Sequence, residues 1–163
     1  MEDADRCILD HFARIRARTI ELVAAAPEEL LGRTPEGEEM SLHWQFVHIA
    51  SGPEWWLTNV LRDGGTCGWP PPYAANKACL VQGLAASRDR LVGFFEADDG
   101  QRMAQVFTRA EGDGSVSEWT GRDRVLYLTD HDLHHRGRIV LALMQWGFDD
   151  LPGDECLWPA MAD

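Results

Sequence analysis

Thr129-Asp130-His131-Asp132-Leu133-His134-His135-Arg136-Gly137-Arg138 places three of the chain's six histidines within five residues. The segment lies in a proline-free run from Val125 to Trp146 whose apolar residues recur at helical spacing. On a helix His131 and His135 are i and i+4, so their rings project roughly 40° apart around the axis and one turn apart along it. Two imidazoles so placed can reach one metal ion, and zinc and similar borderline ions accept such nitrogens at about 2.0–2.1 Å. His134 lies on the near edge of the same face. The pair also reads as ordinary surface or half-buried polar residues, and a third ligand elsewhere would decide between the two.

Working outward, the pattern predicts four long helices. The first spans Asp3 to Ala25, with Ile8, Phe12, Ile15, Thr19 and Leu22 as its inward stripe and Arg14, Arg16 and Arg18 turned away. A short turn from Pro27 to Leu31 follows, stopped by Gly32. Ser41 is an N-cap for a second helix that runs to about Leu61. Pro53 cannot donate to the Ile49 carbonyl, which predicts a kink and not a break, because the apolar pattern resumes in phase. Asp63-Gly64-Gly65 ends this helix, and Trp69-Pro70-Pro71-Pro72-Tyr73 is a stiff connection. The third helix runs from an Asn76 cap to about Ala97 and stops at Asp98-Asp99-Gly100. Val106–Thr108 and Ser115–Ser117 flank Glu111-Gly112-Asp113-Gly114 as a small hairpin. Thr120 and Asp123 form a capping box for the fourth helix, closed by Gly147, and the tail to Asp163 packs as an extension. The expected fold is an all-α four-helix bundle with a small β-hairpin before the last helix, as one domain over residues 1–163.

Composition limits the function. A chain of 163 residues buries enough surface to need no staples. A net charge of −12 with Lys77 as the only lysine disfavours nucleic acid and anionic membrane, since phosphate binding requires clustered cations. Cys7, Cys67, Cys79 and Cys156 are widely spaced and form no CxxC pair, so free thiols in a reducing cytoplasm are expected. The acidic Met1–Asp5 segment lacks the features of a secretory leader, and no apolar run is long enough to span a membrane.

The candidate third ligand is His48, inside the second helix with Trp44, Ser51, Gly52 and Trp55 around it. A histidine in such apolar surroundings is neutral, and either bonds a carbonyl or binds a metal. His43 falls on another side of that helix, and His11 is a surface or lining residue. The ordering of Trp44-x-x-x-His48, the pair Trp55-Trp56, the glycine-rich stop, the turn before the fourth helix, His131-x-x-His134-His135-Arg136-Gly137-Arg138 and the late Gln145-Trp146-Gly147 resembles the DinB-like superfamily, which includes the YfiT-like proteins. The resemblance covers nearly the whole chain; Arg138 stands where the family often has Gln, and Pro53 is a local departure. It implies an up-down-down-up bundle, a homodimer, and one divalent ion held by His48, His131 and His135, with His134 beside it.

Three neutral imidazoles leave an ion its full charge and an open position, the arrangement of a catalytic site. Zinc and nickel are the expected ions. Both a water and a thiol lose their protons more easily on such an ion. The resemblance further implies a metal-dependent hydrolase or an S-transferase that uses a low-molecular-weight thiol and an electrophilic small molecule. S-transfer is preferred, and a non-catalytic metal-binding dimeric bundle is the alternative. Trp44 and Trp55 are core or pocket wall; Tyr127, His134 and Arg138 are further pocket candidates, with Tyr127 and Arg138 able to donate a proton or hold an anionic group, or simply to pack. Asp130 and Asp132 are expected in solvent or paired with Arg136, and Glu54 points away from His48.

Overall fold

Side-chain caps set three of the helix starts. Ser41 Oγ accepts from the Trp44 amide, Asn76 Oδ1 accepts from the Cys79 amide at 2.9 Å, and Thr120 with Asp123 completes a reciprocal capping box. In the computed structural model, which describes residues 1–61 and 71–152, these caps open three of four long helices. They are α1 (Asp3–Ala25), α3 (Leu42–Asn59), α4 (Lys77–Glu96) and α6 (Gly121–Gln145). Between them lie two single turns, α2 (Glu28–Leu31) and α5 (Gln101–Ala104), and a 3-10 turn at Pro72–Ala74. Strands β1 (Val106–Ala110) and β2 (Val116–Thr120) pair antiparallel, with Val106 opposite Thr120 and Ala110 opposite Val116. The predicted helix stop at residues 63–65, the start of the proline-rich connection and most of the tail lie outside the described residues.

The direction of each helix follows from which ends share a core. One cluster joins Leu9 and Phe12 of α1, Leu57 of α3, Leu91 and Phe95 of α4, and Val125 and Leu128 of α6. The other joins Leu22 and Val23 of α1, Leu42 and Phe46 of α3, Leu80 and Leu84 of α4, and Ile139 and Leu143 of α6. Thus α1 and α6 run one way and α3 and α4 the other, which is the up-down-down-up order. Helix α1 packs on α4 and α6, as does α3, so α1 and α3 face each other across a diagonal. The hairpin and α5 close the end where α6 begins: Gly121 donates to Gln105 O at 3.0 Å, and Phe107 and Trp119 join the first cluster. Gly121 has no alternative there, because a Cβ would stand 2.2 Å from the Arg102 carbonyl oxygen.

Two expectations are corrected at the centre of the bundle. Arg16 does not turn away, and Asp132 neither faces solvent nor pairs with Arg136. The buried stripe of α1 is Asp5, Leu9, Phe12, Arg16, Thr19, Leu22 and Val23, with Arg16 1% exposed. Arg16 Nε donates to Asp132 Oδ2 at 2.6 Å, Nη1 to Ser87 Oγ at 3.1 Å, and Nη2 to the Ile49 carbonyl at 3.2 Å. Thr19 Oγ1 donates to the second Asp132 oxygen at 2.6 Å. The apolar count rotated the stripe because a buried guanidinium is invisible to hydrophobic periodicity. The Ile49 carbonyl is the one that Pro53 leaves without an i+4 donor, and α3 runs unbroken through Pro53 with Arg16 in the missing donor's place.

Removing one member of a buried ion pair strands its partner in a dry interior. Asp132→Ala should therefore lower unfolding free energy by about 3–5 kcal/mol, measured by urea denaturation. The double variant Arg16→Met, Asp132→Leu should lose less than the sum of the two single changes. Strict additivity would show that the pair is not coupled.

Candidate metal centre

Helix α3 runs antiparallel to α6, and their facing sides bring His48 to His131 and His135. His131 and His135 are on one face because they are i and i+4 within the uninterrupted α6. The Arg16 network fixes the level at which the helices meet: Ile49 follows His48, and Asp132 follows His131. Ring centroids lie 4.8 Å apart for His48 and His131, 4.8 Å for His48 and His135, and 4.6 Å for His131 and His135. One ring nitrogen from each falls within 4.8 Å of the other two, so the three can hold a single metal ion. His48 Nε2 and His131 Nε2 are 2.9 Å apart, close to the roughly 3.3 Å that two nitrogens adopt around a tetrahedral ion at about 2.0–2.1 Å. His135 Nδ1 is buried and lacks a hydrogen-bond partner among the described residues. A donor set of three imidazoles, one with an orphaned buried nitrogen, fits a borderline divalent ion.

Residues 11–139 match the family model of the DinB superfamily. The chain belongs to the DinB superfamily. No curated protein matches it. The matched region of this DinB-superfamily chain contains all three histidines and every long helix, the last six residues of α6 and the start of α1 excepted.

A cavity of about 240 Å³ opens beside the histidines. His48 and His131 form one side; Ser51, Gly52, Trp55, Trp56, Tyr127 and Leu128 form the rest. Gly52 leaves this part of the wall without a side chain: a Cβ there would make ordinary contact with Leu128 Cδ2 at 3.5 Å and the His131 ring at 3.9 Å, and a larger side chain would enter the cavity. Ser51 donates its proton to the His48 carbonyl at 2.9 Å. Tyr127 stacks on His131 with centroids 6.1 Å apart and planes 27° apart.

Of the other sequence candidates, Trp55 and Tyr127 line this cavity. Trp44 lies with its ring edge-on to His43, whose own Nε2 meets the Ala74 carbonyl at 2.9 Å. His134 is exposed against the His135 ring, and Arg138 donates to Glu38 at the surface, so neither is on the cavity wall. Glu54 accepts from Arg90 and likewise stands off the cavity. Sequence reasoning missed the backing of the wall. Trp56 meets Trp119 at 5.4 Å and Tyr127 at 6.2 Å, and the Arg124 guanidinium carbon lies 3.5 Å from the Trp56 ring centre. The Trp55-Trp56 doublet was the available signal; nothing in the sequence ties Trp119 or Arg124 to it.

Burial keeps the cluster neutral. It lowers the pKa of His48, and it pushes His131 and His135 down to about 4. Charge on neighbouring imidazoles lowers the last two further, and the Asp132 carboxylate partly opposes this. At neutral pH all three rings therefore offer lone pairs.

In the unfolded chain these histidines titrate near 6.5, and in the folded metal-free protein His131 and His135 titrate near 4. As pH falls, the unfolded state takes up protons first. Stability of the EDTA-treated protein should be level above about pH 7 and should fall between about pH 6.5 and 4. Thermal melts across that range should show the fall, with a shallower slope in the double variant His131→Ala, His135→Ala. Identical slopes would mean that these imidazoles titrate normally in the fold.

Proposed function

We propose that His48, His131 and His135 hold one divalent ion, zinc or nickel, and that the adjoining cavity is the active site of a metal-dependent enzyme acting on a small molecule. The observation that carries this is the cavity itself. It meets the cluster at His48 and His131, and among the described residues no fourth His, Cys or carboxylate completes the set. A structural centre is closed by a fourth protein ligand, whereas a catalytic one keeps a position for solvent or substrate. That difference favours catalysis over the alternative of a bundle that binds metal only to fasten α3 to α6.

Such an ion, when bound, supplies a positive charge that acidifies a thiol or a water. S-transfer from a low-molecular-weight thiol is the preferred reaction. The thiol loses its proton to solvent, its sulfur forms a bond to an electrophilic carbon, and the bond from that carbon to the leaving group breaks, its electron pair going with the leaving group. Hydrolysis is the same displacement with water as nucleophile. The chain's own residues shape the event. Trp55, Trp56 and Leu128 give the reacting atoms an apolar wall, and Gly52 leaves room for them. Ser51 is committed to the helix backbone, which leaves the Tyr127 phenol as the wall's proton donor toward a leaving group. The outer face of α6 carries exposed Leu126, Leu141 and Met144, which supports pairing of two chains as a homodimer.

Elemental analysis of protein purified without a nickel column should find one divalent ion per chain, lost in His48→Ala, His131→Ala or His135→Ala. Conjugation of an electrophilic dye to cellular thiols should depend on that ion and drop to background in His131→Ala. Gly52→Leu should keep the ion and lower turnover by roughly 100-fold, since it fills the space beside His131. Full activity in Gly52→Leu would place the chemistry elsewhere, and no metal-dependent rate with any thiol or ester substrate would leave the non-catalytic reading.

A further inference from the structure

Among the described residues, Arg124 is a cation that lacks an ion partner. It is 3% exposed, yet its Nη2 meets no hydrogen-bond acceptor among the described residues. Aromatic rings surround it instead: its guanidinium carbon lies 3.5 Å from the Trp56 centroid, 4.1 Å from Trp119 and 4.9 Å from Tyr127. A second guanidinium, Arg109 of β1, lies 5.0 Å from the Trp55 centroid and 5.9 Å from Trp56. Between them the two arginines contact all three aromatic residues of the cavity wall. Of the nearby carboxylates, Asp123 serves the Thr120 capping box and Glu54 accepts from Arg90. Glu111 lies 3.5 Å from Arg109 and offsets part of its charge, so Arg124 carries the larger share of the positive field. No carboxylate lines the cavity among the described residues.

If the wall needed only filling, a leucine or methionine at position 124 would pack those rings without desolvating a charge. Burial is indeed the main influence on this guanidinium, whose pKa is pushed down to about 10. Three bare rings around a cavity would otherwise form a cage for a cation. Here cations already occupy the rings from within the protein, so a positively charged guest meets like charge and a negatively charged one meets attraction through a low-dielectric wall.

We propose that Arg124, with a smaller contribution from the ion-paired Arg109, makes the aromatic wall anion-selective, so that the cavity takes a small molecule with an aromatic or apolar body and a carboxylate or similar negative group. Arg124 is the positioning residue, and it acts through Trp56 and Tyr127. This substrate class rests on the proposal that the cavity is the working site, but its test does not need the metal.

The probes are 2-naphthoate and the matching cation 2-naphthylmethylammonium, titrated into the EDTA-treated full chain at pH 7.5 and followed by tryptophan quenching and calorimetry. The native protein should bind the anion roughly tenfold tighter or more. Arg124→Met should bring the two affinities within about threefold and Arg109→Gln should lower the preference by about twofold, while Arg124→Lys, which keeps the charge, should retain it. Circular dichroism checks folding; should Arg124→Met fail to fold, Arg109→Gln and Arg124→Lys decide the matter. Equal affinities in the native chain, binding of neither probe, or a preference unchanged in Arg109→Gln and Arg124→Met would overturn the proposal. Metal content measured on the same preparations separates its failure from failure of the metal-site reading.

Discussion

One guanidinium holds the four long helices in register. From α1, Arg16 reaches a carboxylate on α6, a hydroxyl on α4 and a main-chain carbonyl on α3, with distances from 2.6 to 3.2 Å. Its planar fork suits this task better than a lysine's single ammonium would. The network matters for the site because it is covalently next door. Ile49 and Asp132 each adjoin a metal-ligand candidate, so sliding α3 or α6 along its axis would break a buried charged hydrogen bond before it separated the imidazoles. Such bonds are costly to leave unmade in a dry interior. Apolar packing assembles the bundle, and Arg16 selects one vertical alignment of it.

Much of this was legible along the chain because caps and periodicity are local. Ser41, Asn76 and the Thr120–Asp123 box mark starts that the fold respects within a residue or two, and the i, i+4 spacing of His131 and His135 needed only a helix to become a shared face. His48 was found because a neutral imidazole amid tryptophans requires a reason. What escaped were groups whose meaning is purely tertiary. Arg16 looks like any arginine on an amphipathic helix until the bundle closes around it, and Asp132 looks solvated because its partner is 116 residues away. Arg124 and Trp119 acquire their role from the hairpin's placement, which no spacing rule supplies. The turn α5 was missed for a simpler reason: four residues carry no periodicity to detect.

The small hairpin has more influence than its size indicates. It caps the end of the bundle where α6 begins, and it brings Arg109 and Trp119 against the tryptophan pair of α3. The cavity lining comes from α3 and α6, as the histidines do, and the hairpin backs it through Trp119 and Arg109. The histidine cluster and the arginine-backed rings are different residues, so the metal affinity and ligand selectivity proposed for them could vary separately.

Pro53 has a consequence for the order of events during folding. Helix α3 taken alone has a gap in its ladder just beyond His48, and the donor that closes the gap arrives from a residue 33 positions earlier in the chain. A nascent α3 thus cannot complete its own hydrogen bonding ahead of docking, as α1 or α4 can. Seating of α1 supplies that donor, which ties the His48 segment of α3 to the assembled bundle.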